Sequence, residues 1–349
     1  MIASRSRSTY ATCTSSTPRR RPRSAPELLR LGLLSTARIN REILRAAAAS
    51  DRVEVVAVAS RGLGRAQEYA RAHAIARAHG TYDGLLGDDE VDAVYVSLPN
   101  ALHHEWTMQA LGAGKHVLCE KPYSRRPADV EEAFAAAERA GLAFTEAFMY
   151  RHHPQTRIVA DLVASGAVGA PRLLDAHFSF LLEDPDDVRL QPELAGGSLM
   201  DVGCYCVSGL RLIAGEPDSA TGEQRVGPTG IDMSFRGELR FPSGVAGRLH
   251  CSFELPRRQE LEIVGDEGRI RVEAPWRVDW GGDVLLDRDG TVSRVDVPVA
   301  DSYVLELDDF AQAVAGTRPP LLGREDLIGQ ARAIDALYRA AESGRSIPL

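Results

Sequence analysis

The sequence has little of what membrane, metal-binding or disulfide-bonded proteins need. Its 349 residues include five cysteines, Cys13, Cys119, Cys204, Cys206 and Cys251, an odd number without a disulfide framework or a CxxC motif. No apolar run approaches the roughly 20 residues of a membrane-spanning helix. We therefore expect a protein of the reducing cytoplasm, without a membrane span, a disulfide or a bound metal.

The first 25 residues contain no acidic side chain. They carry six arginines among many Ser, Thr and Pro residues. Such a composition cannot bury enough apolar surface to offset the entropy of ordering, so we predict a disordered basic tail over residues 1–28. A transit peptide, an export signal around Arg19 and Arg20, and an overlong translation start are its alternatives. Export is disfavoured because the apolar stretch at residues 28–34 is short and interrupted by Arg30.

The rest of the chain is acidic. The whole sequence has a formal charge of -8, with 41 basic and 49 acidic residues, and six of the basic residues lie in the tail. A strongly acidic body does not suit nucleic-acid binding, so we expect none.

Short apolar strands alternate with helical patterns from Leu29 to about Thr145. Such alternation predicts an α/β fold, a doubly wound parallel sheet of the Rossmann type with helices on both faces. The predicted strands are residues 29–34, 53–59, 91–97, 116–119 and 143–145, and the predicted helices are 39–49, 65–73, 104–113 and 129–140.

The pattern changes near residue 155. Strand candidates at residues 172–180, 232–241, 244–253, 259–264, 268–273 and 291–297, separated by turn residues, predict a mostly antiparallel open sheet. Helices are predicted at 156–165, 203–214 and 324–343. We therefore expect a Rossmann domain at residues 29–148 and a C-terminal α+β domain at residues 149–349 for substrate binding and oligomerisation.

The first strand-to-helix turn carries small residues, in the run GLLSTARI at residues 32–39. Small residues let the backbone approach a dinucleotide pyrophosphate, which rests on the helix N-terminus. Only Gly32 remains of the three usual glycines, with Ser35 and Ala37 in the other places, so a plain tight turn is the alternative. The predicted cofactor contacts here are Gly32, Ser35, Thr36, Ala37, Arg38 and Ile39.

The second strand ends at Ser60-Arg61, where a carboxylate would bind the adenosine ribose hydroxyls. A hydroxyl and a guanidinium at this place suit a 2′-phosphate better, so we predict NADP rather than NAD, with NAD as the less favoured cofactor. A solvated loop arginine is the structural alternative.

Two further stretches carry chemistry-bearing residues: Glu120-Lys121-Pro122 after the fourth strand, and the run GGSLMDVGCY at residues 196–205. With the first turn and Leu98-Pro99-Asn100, they make the chain resemble the Gfo/Idh/MocA oxidoreductase family from about Leu29 to the C-terminus. Tyr205, where many relatives have His, and the run EAFMYR at residues 146–151 resemble the dihydrodiol dehydrogenase, D-xylose dehydrogenase and glucose-fructose oxidoreductase branch.

The resemblance implies that Lys121, Asp201 and Tyr205 are catalytic. Alcohol oxidation sends a hydride to the nicotinamide while a base removes the hydroxyl proton, and Tyr205 would be that acid or base. We expect the Lys121 ammonium to lower the pKa of this phenol below about 10. On a helix Asp201 and Tyr205 would share one face, so Asp201 would orient the substrate or Lys121. A surface lysine, a helix cap and a core aromatic are the structural alternatives.

Other candidates surround these three. Leu98, Pro99, Asn100, His103, Glu120 and Lys121 are expected near the cofactor. His103 and His104 do not face each other on a helix, so the pair does not predict a metal site. Arg151 and His152 are expected to bind substrate hydroxyls, together with Asp201 and Tyr205.

The sequence thus predicts an NADP-dependent enzyme that interconverts a secondary hydroxyl and a carbonyl on a sugar, polyol or cyclic diol. The alternatives are reduction of a keto-sugar, free or nucleotide-linked, in a biosynthetic pathway, and a dinucleotide-binding regulator without turnover. A homodimer or homotetramer is expected from the resemblance.

Overall fold

The computed structural model describes residues 28–349. The predicted basic tail therefore lies outside the described residues, apart from the exposed Leu28. The cysteines at positions 119, 204, 206 and 251 are buried free thiols. None of the helices in residues 28–349 is long and apolar enough to cross a membrane.

The first half forms a parallel sheet of six strands in the order β3-β2-β1-β4-β5-β6. The strands are Leu29–Leu34 (β1), Val53–Ala59 (β2), Arg77–His79 (β3), Ala93–Val96 (β4), His116–Glu120 (β5) and Phe144–Ala147 (β6). The helices are Asn40–Ala49 (α1), Leu63–Ala72 (α2), Tyr82–Leu86 (α3), His103–Gly112 (α4) and Pro127–Ala140 (α5). Strand order reverses between β1 and β4, so a crevice opens at the carboxyl ends of these two strands.

The second half forms a nine-stranded sheet in the order β14-β13-β12-β11-β7-β10-β9-β8-β15. Its strands are Pro171–Ser179 (β7), Ser219–Val226 (β8), Asp232–Arg240 (β9), Ala246–Ser252 (β10), Arg258–Gly265 (β11), Gly268–Val272 (β12), Val284–Arg288 (β13), Thr291–Arg294 (β14) and Ile347–Pro348 (β15). The helices are Pro154–Ala164 (α6), Cys204–Ala214 (α7), Ser302–Val314 (α8) and Arg324–Ser343 (α9). Every pairing is antiparallel except that between β7 and β10, so the predicted mostly antiparallel sheet is confirmed.

Several elements escaped prediction. The strand β3 and the helix α3 have only three and five residues, too few for a periodic pattern. The strand β8 reads SATGEQRV and carries little apolar alternation. The helix α8 did have a signal, because Asp301 caps it by accepting the amides of Tyr303 and Val304.

Gly209 determines how closely α7 packs against Trp276 within the second domain. A Cβ at Gly209 would lie 2.4 Å from Cη2 and 2.7 Å from Cζ3 of Trp276, whose side chain is fully buried. Any larger residue must therefore displace a buried indole. This contact matters for the site because α7 begins one residue before Tyr205.

We expect Gly209→Ala to lower the free energy of unfolding by about 1 to 3 kcal/mol, the usual cost of overpacking a core. Chemical denaturation followed by fluorescence measures it. The matched control is Gly64→Ala in α2, where a Cβ meets nothing within 4 Å. That variant should be neutral or gain up to about 1 kcal/mol from helix propensity. Equal stability of the two variants would contradict the packing argument.

Candidate active site

The turn between β1 and α1 is built on Ser35. Its φ angle is 131°, a left-handed value that normally favours glycine. The Ser35 hydroxyl lies 2.9 Å from both the carbonyl oxygen and the hydroxyl of Ser97, and it accepts the amide of Ala37 at 3.0 Å. Asn40 donates to the Ser35 carbonyl at 2.8 Å. The turn is therefore held open against the end of β4 without a glycine.

The role expected of Gly32 is corrected by the structure. Gly32 lies inside β1, and a Cβ there would lie 2.8 Å from a Leu85 methyl carbon and 3.0 Å from one of Val91. This glycine lets α3 and the chain before β4 pack onto the sheet. The spacing G-x-G-x-x-G is matched instead by Ser35, Ala37 and Asn40.

The start of α1 fits a dinucleotide pyrophosphate. The residue that precedes the helix, Ile39, offers no side-chain cap, and the amides of Asn40, Arg41 and Glu42 donate to the carbonyl oxygens of Ala37, Arg38 and Ile39. The positive end of the helix dipole still faces this turn and favours an anionic group there. The side chains from Ser35 to Ile39 are half-buried or exposed at the carboxyl edge of the sheet. We propose that Ser35, Thr36, Ala37, Arg38 and Ile39 hold the diphosphate.

The end of β2 offers positive charge. Ser60 is buried, Arg61 is exposed, and residues 60–65 contain no acid. Arg65, in the first turn of α2, donates from Nε to the Thr36 hydroxyl at 2.9 Å. The sequence interpretation missed Arg65, although it lies one helical turn after Arg61. We propose that Ser60, Arg61 and Arg65 bind the 2′-phosphate of NADP.

We expect Arg65→Ala to raise the KM for NADP⁺ about tenfold or more while leaving the KM for NAD⁺ near the parent value. The reason is the loss of a charge-assisted hydrogen bond, worth about 1.5 to 3 kcal/mol. Steady-state kinetics with both cofactors measure the change. Arg71→Ala, which removes an exposed arginine from the last turn of α2, is the control. An equal rise for NAD⁺ would rule out a 2′-phosphate contact.

Lys121, Asp201 and Tyr205 converge at the end of β5. The Lys121-Pro122 peptide bond is cis. The Lys121 ammonium donates to the Asp201 carbonyl oxygen at 2.7 Å and to Asp201 Oδ1 at 3.2 Å. The same nitrogen lies 4.8 Å from the centre of the Tyr205 ring. Three side chains from two domains thus share one small volume.

Asp201 is a fixed carboxylate. It lies on a π-helical turn, Leu199–Gly203, that runs directly into α7. Its Oδ2 accepts a hydrogen bond from Nε of Arg189 at 2.7 Å. Burial alone would raise the pKa of Asp201, but Arg189 and Lys121 outweigh it and the pKa falls to about 2. Asp201 therefore cannot take the substrate proton at neutral pH. Sequence reasoning missed Arg189, which has no motif around it.

Tyr205 sits in an aromatic cage and is 7% exposed. Its ring centre lies 5.3 Å from that of Phe148, 5.5 Å from that of Phe178 and 5.8 Å from that of Tyr150. The expected lowering of its pKa was wrong. Burial raises the pKa of Tyr205 well above its ordinary value, and Glu120 adds to the rise. The Lys121 ammonium lies over the ring, and its hydrogen bonds go to Asp201, so Tyr205 is held as a phenol.

His103 is a buried residue between two loops of the site. It is fully buried, and its ring nitrogens lie 2.9 Å from the Pro122 carbonyl oxygen and 2.8 Å from that of Leu98. The expected cofactor contact is therefore corrected: His103 joins the two loops that carry Asn100 and Lys121. Burial lowers its pKa to about 4, and a neutral ring has a single N–H, so His103 donates to one of these two carbonyl oxygens and only contacts the other.

Two other predicted neighbours of the cofactor make contacts within the protein. Glu120 accepts hydrogen bonds from the Tyr95 hydroxyl and from the Lys121 amide, the latter at 3.2 Å. Asn100 donates to the Ala195 carbonyl oxygen at 2.9 Å and so links the two domains beside the crevice. Leu98 is buried, and Pro99 is half-buried at the same edge. For these residues a cofactor contact remains a proposal.

Arg151 and His152 do not face the crevice as expected. Arg151 pairs with Asp326 of α9 at 2.9 Å, and its side chain is 11% exposed. His152 lies 4.0 Å from Asp309 of α8, and its side chain is 7% exposed. Burial and Arg151 lower the pKa of His152 to about 3. Both residues hold the 3₁₀ turn Met149–His152 against α8 and α9, so their assignment as substrate ligands is corrected.

We expect His152→Gln to weaken the acid sensitivity of folding. His152 titrates near pH 6.5 when unfolded and near 3 when folded, so the unfolded chain binds the proton first. Stability is therefore present above pH 6.5 and is lost as the pH falls, by up to about 1.4 kcal/mol per pH unit. Denaturation at pH 7 and pH 5 should show a smaller loss in the variant. An equal loss of stability in the parent and in the variant would mean that water reaches His152 and that burial does not lower its pKa.

Two family profiles match the chain. The profile described as "Oxidoreductase family, NAD-binding Rossmann fold" covers residues 29–148, and that of the GFO/IDH/MocA C-terminal domain covers residues 156–271. The D-xylose 1-dehydrogenase (NADP(+)) 2 of Haloferax volcanii is 40% identical over 325 residues, which are 91% of this chain and 99% of the relative. The trans-1,2-dihydrobenzene-1,2-diol dehydrogenase of Sus scrofa is 33% identical over 253 residues, 71% of this chain and 75% of the relative.

Solved structures are similar over nearly the whole chain. A 3-ketoreductase from Actinomadura kijaniata in complex with NADP and TDP-benzene superposes with a TM-score of 0.86 at 32% identity, covering 90% of this chain and 98% of that one. An aldose-aldose oxidoreductase from Caulobacter crescentus has a TM-score of 0.86 at 27% identity, with 93% and 100% covered. The ketoreductase was also solved as two single variants, one with a lysine replaced and one with a tyrosine replaced. These two positions are separated along its chain by as many residues as Lys121 and Tyr205 are in this one.

Proposed function

The chain belongs to the Gfo/Idh/MocA oxidoreductase family, and from this premise we propose that it interconverts a secondary hydroxyl and a carbonyl on a sugar, polyol or cyclic diol with NADP(H). The observation that carries the proposal is the convergence of Lys121, Asp201 and Tyr205 at the carboxyl edge of the Rossmann sheet. A relative named as an NADP⁺-dependent xylose dehydrogenase and another named as a dihydrodiol dehydrogenase support the substrate class.

The nicotinamide, when bound, supplies or accepts the hydride. The chain supplies the proton. In reduction the Tyr205 phenol donates its proton to the substrate carbonyl oxygen, and by microscopic reversibility the same oxygen takes the proton back in oxidation. Burial raises the pKa of Tyr205, so the residue is a phenol that carries the proton that reduction transfers.

Lys121 supplies the positive charge at the site. Burial lowers the pKa of Lys121, but Asp201, Cys204 and Glu120 together outweigh burial and the pKa is raised, so the amine stays charged. A fixed ammonium beside the reacting oxygen stabilises the negative charge that develops there. Asp201 holds that ammonium, and Arg189 holds Asp201. Asp201 is thus a positioning residue in this proposal, and its own proton chemistry is unused.

Reduction of a keto-sugar is the second candidate. A dTDP-3,4-didehydro-2,6-dideoxy-alpha-D-glucose 3-reductase from Actinomadura kijaniata is 34% identical over 319 residues, 90% of this chain. The protonated state of Tyr205 suits the donation that reduction needs. A regulator without turnover is disfavoured because it has no need for a buried ammonium beside a buried phenol.

We further propose a cytoplasmic setting and a homodimer or homotetramer that acts on a small molecule and not on nucleic acid. Free buried thiols at residues 119, 204, 206 and 251 agree with a reducing compartment. The strongly acidic body agrees with the absence of a nucleic-acid partner.

Tyr205→Phe should reduce kcat about 10²- to 10⁴-fold, since it removes the proton donor and keeps the ring in its cage. Activity is measured as NADPH absorbance with a panel of aldoses, cyclic diols and keto-sugars and both cofactors. Lys121→Met should show a similar loss. NADPH binding and the far-ultraviolet circular dichroism spectrum of both variants serve as controls for the fold. Activity of Tyr205→Phe within a few-fold of the parent would remove the acid/base assignment.

A further inference from the structure

A basic and aromatic group of residues extends outward from Tyr205. Trp280 lies in the loop between β12 and β13, and two guanidinium groups lie against its ring. The guanidinium carbon of Arg257 is 4.8 Å from the ring centre, and that of Arg277 is 5.2 Å from it. We call Arg257, Arg277 and Trp280 the arginine-tryptophan cluster.

The cluster is continuous with the catalytic cage. The Trp280 ring centre lies 6.0 Å from that of Phe178, and the Phe178 ring centre lies 5.5 Å from that of Tyr205. Arg257 is therefore three contacts away from Tyr205 along one row of aromatic rings. Arg257 and Tyr205 thus lie at the two ends of this row.

The two arginines of the cluster differ in charge balance. Arg277 is neutralised by Asp279 through two hydrogen bonds, of 2.8 and 2.7 Å. Within residues 28–349, Arg257 has no ion pair and no hydrogen bond to a carboxylate, and it is exposed. Its neighbour Arg258 is different, because it donates to Glu260 at 3.3 Å. The chain as a whole carries a net charge of -8, so its surface is not generally basic.

Hydrogen bonds hold both loops of the cluster in place. Gln259 accepts the amides of Trp276 and Arg277, at 3.1 and 2.8 Å, and donates to the Arg277 carbonyl oxygen at 3.0 Å. The Ser179 hydroxyl donates to the carbonyl oxygen of Pro256, the residue before Arg257, at 2.8 Å. The backbone that carries the cluster is therefore preorganised, which lowers the entropy cost of binding a ligand there.

We propose that the substrate carries an anionic group, a phosphate ester or a carboxylate, that Arg257 binds while the carbon skeleton lies along Trp280 and Phe178. This inference rests on the proposed function and narrows its substrate class. A guanidinium presents a planar fork of donors that matches both phosphate and carboxylate. Aromatic side chains provide the apolar wall that small-molecule pockets commonly use.

The test measures binding and turnover separately. Isothermal titration of the enzyme–NADP⁺ complex compares a neutral hexose with its 1-phosphate, its 6-phosphate, the corresponding hexuronate and a nucleoside diphosphate hexose. We expect the parent to bind at least one charged member about tenfold or more tightly than the neutral hexose, with an advantage that shrinks at high salt. The member bound most tightly distinguishes phosphate from carboxylate.

Arg257→Ala should abolish most of this advantage, bringing the ratio of charged to neutral affinity within a few-fold of one. The control Arg258→Ala removes a neighbouring arginine that is already paired with Glu260, and it should keep the parent ratio. An undetectable preference in the parent, or a ratio that survives in Arg257→Ala, overturns the inference. Absence of turnover with every sugar contradicts the proposed function instead, while the binding ratio still decides the role of Arg257.

Discussion

The contact between Lys121 and Asp201 is the interaction on which the rest of the site depends. Lys121 directly follows β5 of the parallel sheet, and Asp201 lies on the π-helical turn before α7 in the other domain. Both groups are nearly buried, with side chains 13% and 14% exposed. Removing one partner of such a pair leaves an unbalanced buried charge, which costs about 3 to 5 kcal/mol. The ion pair therefore has two roles: it joins the two domains, and it places both charges in the crevice.

The division of roles follows from which partner each charge has. Arg189 and Lys121 together hold Asp201 ionised, so the carboxylate is unavailable as a base. Because the Lys121 ammonium is hydrogen-bonded to Asp201, the pKa of Tyr205 is set by burial more than by this cation. In the proposed mechanism the charged Lys121 therefore stabilises negative charge on the substrate oxygen, and the neutral Tyr205 transfers the proton. The buried His103 ring packs between the two loops around Lys121 and lies within hydrogen-bond distance of a carbonyl oxygen of each.

The cofactor end shows how a motif can be kept while its residues change. A glycine-rich turn needs a left-handed residue, a small residue and close helix packing. Here Ser35 adopts the left-handed angle, and its hydroxyl bonds within the turn and to Ser97. Asn40 is fully buried at the start of α1 and ties the helix back to Ser35. In this turn, side-chain hydrogen bonds thus stabilise the backbone conformation that glycine residues allow in the glycine-rich turn.

Local sequence pattern was enough to predict where most of the main strands lie along the chain, that one sheet is parallel and the other mostly antiparallel, and that residues 121, 201 and 205 are candidates. The reason is that alternation, turn residues and motifs each lie within a short stretch of chain. Tertiary structure alone decided what each candidate touches. Arg65, Arg189 and Arg257 come from loops or helices without a motif, and Arg151 and His152 turned inward to meet Asp326 and Asp309. The pKa of Tyr205 likewise depends on burial and on distant charges. These are properties of through-space neighbours, and separation along the chain does not reveal them.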